Sequence, residues 1–216
     1  MITVFGRTSS FNVQKVMWLV GELGFDHRHV QLGGAFGGLD RPDVLAMNPH
    51  GRVPVLDDSG VVVWESQAIL RYLAAKYADG SAFWRIDPAE RAVADQWMDW
   101  SQSALQPAFL GGVFWGWYRT PESKRNMIAV NAALDQTVSY LQRVERQLEG
   151  RLFLLGDNLS LADIPIGTHL YRYFNLDLPR PALPNVERWY ERLLARPAYR
   201  THVCIPFDDL YGRLEF

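Results

Sequence analysis

Residues 51–66 read GRVPVLDDSGVVVWES, two short apolar runs followed by a helix start. The runs VPVLDD and VVVWE are rich in β-branched residues, and Asp58, Ser59 and Gly60 between them supply a hairpin turn. Pro54 has no N–H. At the start of a strand that loss is tolerated, but it leaves the backbone of Val53 outside a regular ladder. Glu65 and Ser66 close the second run and open the helical pattern SQAILRYLAAKYA, with Ser66 read as N-cap and Glu65 beside the positive helix end.

Upstream, residues 6–24 read GRTSSFNVQKVMWLVGELG. Val13, Val16, Met17, Val20 and Leu23 fall on one face of a helix from about Asn12 to Leu23, and Gly24 stops it. Its start holds Thr8, Ser9, Ser10 and Asn12. One hydroxyl or amide suffices to cap a helix, so the surplus points to a bound group at an end that favours anions: a thiolate, carboxylate or phosphate. With strands at ITVFG and HRHVQL, and the stretch GGAFGGLDRPDVLAMNPHGR read as a loop, the order is β-α-β-loop-β-β-α over residues 1–78.

Residues 79–87 read as a linker, and 88–216 carry only helical patterns. These run from near Pro88 towards Pro107, over about Glu122 to Leu148, from Ser160, and over about Asn185 to Leu194. The fold expected is an α/β N-terminal domain followed by an all-α C-terminal domain. The 216 residues, 48% hydrophobic and 21% charged with a net charge of -2, describe a globular protein with no basic block for nucleic acid or an anionic membrane. The N-terminus has no signal-peptide pattern, and no apolar run nears the roughly 20 residues that span a bilayer, so a cytoplasmic location is expected. Cys204 is the single cysteine, and the five histidines lack metal-ligand spacing, so neither an internal disulfide nor a metal is expected.

The hydroxyl-rich helix start, the proline in GRVPVL and the Glu65-Ser66 pair, at these spacings, together resemble the cytosolic glutathione transferase family over nearly the whole chain. The resemblance implies a thioredoxin-like first domain that binds glutathione and a helical domain that carries the hydrophobic substrate site. It implies a cis bond before Pro54 and a Val53 backbone that pairs with the cysteinyl part of glutathione as an added strand. Glu65 would meet the γ-glutamyl ammonium, Ser66 and its helix start the α-carboxylate, and Arg52 the peptide's other carboxylate. Ser10 falls where serine-type members place the hydroxyl that donates to the sulfur; Ser9 is its close rival, and Asn12 stands where some members have cysteine. Without a tyrosine in the first strand or a cysteine before Asn12, the chain looks bacterial-like and serine-type.

SLADI at 160–164 also fits the family, with Ser160 and Asp163 as a capping-box-like pair of structural rather than catalytic use. PAFLGGVFWGWYR at 107–119 holds Phe109, Phe114, Trp115 and Tyr118 among three glycines. Aromatics at helical spacing fit a core; after a proline break and loosened by glycine, they also fit an adaptable wall for a small hydrophobic electrophile. The activity implied is transfer of a glutathione thiolate to such an electrophile. A peroxidase, isomerase or dehalogenase on the same fold, or a noncatalytic interaction module, stands as the alternative. The family also implies a homodimer and the use of glutathione without a metal.

Overall fold

The computed structural model describes residues 1–214; the final two residues of the expected helical domain lie outside the described residues. β1 (Ile2–Phe5), α1 (Phe11–Leu23) and β2 (His27–Val30) form a parallel crossover unit, and β3 (Val55–Asp58) and β4 (Val61–Trp64) form the hairpin. The sheet order is β2-β1-β3-β4, with β1 antiparallel to β3. Asp58 ends β3 instead of entering the turn, which consists of Ser59 and Gly60 at φ 54° and 95°. Two successive positive φ values match the right-handed twist of a two-residue hairpin.

α3 (Ser66–Tyr77) packs with α1 on the sheet, burying Val4, Val16, Leu56 and Leu70. The segment read as a loop contains a short helix, α2 (Pro42–Met47). Its six residues are too few to show a helical period, although Pro42 at the first helical position is a start signal.

The second half is helical, as α4 (Pro88–Trp100), α5 (Met127–Gln147), α6 (Asp163–Asn175), α7 (Pro184–Leu194) and α8 (Pro197–His202). Pro107 does not break the chain direction. α4 continues through it as π-helical turns over Ser101–Leu105 and Pro107–Arg119. A wider turn displaces the preceding carbonyls that a proline ring meets in an α-helix. The glycines there have a packing use as well: a Cβ on Gly112 would stand 2.4 Å from the Cβ of Ala133 on α5, so glycine permits the close approach.

The Ser160–Asp163 pair is present in a different form from a capping box. Asp163 is the first residue of α6, and its carboxylate accepts from the Leu154 N–H at 2.9 Å, the Ser160 N–H at 2.9 Å and the Ser160 hydroxyl at 2.7 Å. The acid therefore gathers the loop and the helix start around itself. Glu22 joins the two halves, accepting from Trp18 Nε1 at 2.8 Å and pairing with Arg196 at 2.6 Å. No helix among the described residues is long and apolar enough to cross a membrane.

Candidate active site

The β1–α1 turn is built by close contact. Gly6 has φ 144°, and a Cβ there would stand 2.4 Å from Val13 and 3.0 Å from the Cβ of Val53, so only glycine lets the turn press against the β3 entry. The following loop is pinned from several sides. The Thr8 N–H donates to Gln31 at 3.2 Å, the Ser10 N–H to the Arg7 carbonyl at 3.0 Å, and Arg172 Nη2 from α6 to the Ser9 carbonyl at 2.8 Å.

Ser10 occupies the N-cap of α1, yet its hydroxyl makes no capping hydrogen bond. Opposite it, the Val53–Pro54 bond is cis. Asn48 shapes the approach, donating to the Arg52 carbonyl at 2.9 Å and accepting from the His50 N–H at 3.1 Å. Continuing the β3–β4 register from Val55↔Trp64 by one residue sets Pro54 opposite Glu65. Glu65 itself, not Ser66, is the N-cap of α3, and it has φ 70°. Ser66 is the first helical residue; its hydroxyl is buried and has no hydrogen-bond partner among the described residues.

Ser9, Ser10, Asn12, Arg52 and Val53 line one cleft of about 330 Å³, closed on the other side by Leu110, Phe114 and Trp115. Arg172 lies in its wall, buried, with its guanidinium 4.5 Å from the Phe114 ring and 5.5 Å from that of Phe11. Burial, with Arg119 and Arg7 adding, lowers its pKa, and a guanidinium so lowered stays charged at neutral pH. A larger hollow of about 420 Å³ lies by the linker near Trp84, Arg91 and Arg151, and holds none of the site residues read from the sequence.

Other expected residues fall outside the cleft lining. Pro54, Glu65 and Ser66 stand beside it at the hairpin mouth. Phe109 is a core residue, fully buried against His169 and Tyr173 at ring distances of 5.8 Å. Burying such a ring contributes about 2 to 3 kcal/mol, which a place on an open wall would forgo. Tyr118 likewise turns to a cluster, stacked on Phe114 at 5.4 Å and edge-on to Phe207 and Tyr211 at 5.2 Å. Of the four aromatics read as a wall, Phe114 and Trp115 meet the cleft.

Two residues that the sequence reading passed over stand at this site. Arg172 is a cation within the mostly buried helix DIPIGTHLYRYFN. Lys15 is fully buried in α1; burial pulls its ammonium down from the usual lysine value, and Glu65 pushes it back up. A cation among apolar residues in a mostly buried helix is the signal that would have found each.

The sheet, the cis-proline edge and the helix start facing a second, helical domain define a two-domain protein of thioredoxin-like fold. The N-terminal domain profile of glutathione S-transferases matches residues 1–75, and the C-terminal domain profile matches residues 106–197. Glutathione S-transferase GstB of Escherichia coli strain K12 is 39% identical over 208 residues, covering 95% of this chain and 99% of its own. Glutathione S-transferase 3 of Zea mays is 31% identical over 215 residues, covering 95% of each chain. Among solved structures, the theta class glutathione S-transferase from Xanthomonas axonopodis pv. citri, with glutathione bound, is similar with a TM-score of 0.88 at 43% identity, covering 95% of this chain and 98% of its own. The chain belongs to the glutathione S-transferase family and is an enzyme of that family.

Proposed function

We propose that the enzyme binds glutathione along the Val53–Pro54 edge, holds its thiol as a thiolate at the start of α1, and transfers it to a small hydrophobic electrophile against Phe114 and Trp115. The observation that carries this reading is Ser10: a helix-start hydroxyl not spent on capping, in the same cleft as Arg52, Val53 and the two aromatics. The α1 N-terminus and the Arg172 charge both favour an anion in that cleft. Glu65 and the buried Ser66 hydroxyl at the α3 start suit the charged γ-glutamyl end, and no metal takes part.

A free thiol near pKa 8.5 is mostly protonated at pH 7, and each unit of depression is worth about 1.4 kcal/mol of preference for the thiolate. Ser10→Ala is therefore expected to raise the apparent pKa of bound glutathione by about one unit and to slow conjugation of an aryl halide, with glutathione affinity nearly unchanged. Ultraviolet thiolate absorbance against pH reads the first effect and calorimetry the last. Should Ser9→Ala move the pKa instead, the sulfur's donor is Ser9.

A cytoplasmic homodimer completes the reading. Val61 and Val62 are exposed on β4, at the open edge of the sheet, and Val93 is exposed on α4. An unpaired apolar edge is covered best by a symmetric second copy. Light scattering at micromolar concentration is expected to give twice the chain mass; a monomer mass would remove the dimer.

A further inference from the structure

Lys15 lies one turn into α1 with no solvent exposure. Its Nζ stands 3.0 Å from Asn12 Oδ1, 3.1 Å from Gln102 Oε1 and 2.5 Å from Gln106 Oε1. Gln102 lies in the first π-helical stretch beyond α4 and Gln106 stands between that stretch and the next, so this ammonium joins the first domain to the second. A buried ammonium without partners costs several kcal/mol, and three oxygens answer its three N–H bonds one for one.

The donor inventory has a directional consequence. Lysine ammonium only donates, so the atom each amide turns to it must be the oxygen. With Oδ1 of Asn12 held by Lys15, Nδ2 of the same planar amide faces away from it. Asn12 lines the cleft beside Ser10 and Val53.

We propose that Lys15 is a positioning residue: it fixes the Asn12 carboxamide so that its NH2, rather than its oxygen, is offered to the glutathione sulfur. This rests on the reading of the cleft as the thiol site. Lys15 also polarises the amide, which strengthens the N–H groups as donors to a thiolate. In its absence the oxygens of Gln102 and Gln106 lose their donor, and the Asn12 NH2 becomes the nearest replacement, drawn away from the sulfur.

The test is a double-mutant cycle read by the apparent pKa of bound glutathione, from thiolate absorbance against pH, on the full-length protein. Lys15→Met is expected to raise that pKa by about one unit, a tenfold smaller thiolate fraction at low pH, and to have no further effect in an Asn12→Ala background. Calorimetry is expected to show glutathione affinity little changed in both. Asn12→Asp is the second variant: paired with Lys15 it keeps the buried charge compensated, but a carboxylate can only accept, so the thiol pKa is expected to rise at least as far as in Asn12→Ala.

Equal shifts from Lys15→Met in the two backgrounds would mean that the ammonium acts on the sulfur through space, and would overturn the positioning role. So would an unshifted pKa in Lys15→Met or, should that variant not fold, in Asn12→Asp. If the parent protein binds no glutathione by calorimetry, the functional reading fails and this proposal with it; glutathione binding with an unshifted variant overturns this proposal alone.

Discussion

Asp163→Ala is expected to lower the unfolding free energy by about 4 kcal/mol. The carboxylate is fully buried and takes three hydrogen bonds, from the Leu154 N–H, the Ser160 N–H and the Ser160 hydroxyl. Burial pushes its carboxyl up to about 6, against those donors, so it is largely ionised at pH 7 and the bonds are charge-assisted. Removing it orphans two buried backbone N–H groups and one hydroxyl, each costing about 1 to 3 kcal/mol, while the buried-charge penalty is relieved in part. Asp163→Asn is not a rescue. Its NH2 must face one of the two sets of donors, so a loss of about 2 kcal/mol is expected even with the shape kept. Urea unfolding followed by tryptophan fluorescence reads both as shifts of the midpoint. A loss under about 1 kcal/mol in Asp163→Ala would show that water replaces the carboxylate, and that the pair is not what closes the α6 start.

This pair also marks where sequence is informative. S-x-x-D is local, and its two residues do meet, but the direction of the bonds depends on Leu154, nine residues away from Asp163, so a capping box was expected where an acid-centred knot is found. The βαβ unit and the hairpin were legible for the same reason: β-branched runs and the turn at Ser59 and Gly60 act within a few residues of each other. Pro107 misled because a proline ends an α-helix, whereas a π turn absorbs it, and what stabilises that wide segment is its packing on α5 at Gly112 and Ala133.

The site residues divide along the same line. Ser10, Val53 and Pro54 each carry a backbone or capping signature that can be read in place, whereas Glu65 takes the N-cap position that the sequence pattern gives to Ser66. Lys15 and Arg172 carry no such signature, because what fixes Lys15 is Gln102 and Gln106 from the other domain, and what fixes Arg172 is the Ser9 carbonyl, 163 positions away. Phe109 and Tyr118 carry the same composition as Phe114 and Trp115. Only the helix rotation decides which aromatics meet the cleft and which meet His169 or Phe207.

Glu65→Ala should weaken glutathione binding by about 2 to 3 kcal/mol, roughly 30- to 150-fold in Kd. Glu65 holds φ 70°, a conformation that costs a residue with a Cβ about 1 kcal/mol or more, and such strain persists where surrounding structure enforces it and gathers at functional sites. Here the enforcing elements are the β3–β4 register on one side and the α3 start on the other. The carboxylate is exposed and favours the buried Lys15 ammonium, but no hydrogen bond or ion pair holds it among the described residues, so the conformation is not maintained for such a bond within the fold. It does place an acid opposite Pro54, beside the edge where the γ-glutamyl ammonium would lie, and next to the Ser66 hydroxyl for the neighbouring carboxylate. An ammonium–carboxylate pair covered on binding leaves an uncompensated charge when one partner is removed, which is why the expected loss exceeds that of a surface ion pair. Glu65→Gln keeps an acceptor without the charge and should lose about half as much. Because the carboxylate favours the buried Lys15 ammonium, the melting temperature without glutathione should fall slightly in both variants, while the stabilisation that added glutathione gives the parent should largely vanish. Unchanged calorimetric affinity in Glu65→Ala would remove this residue from the glutathione site and leave its backbone strain without a functional account.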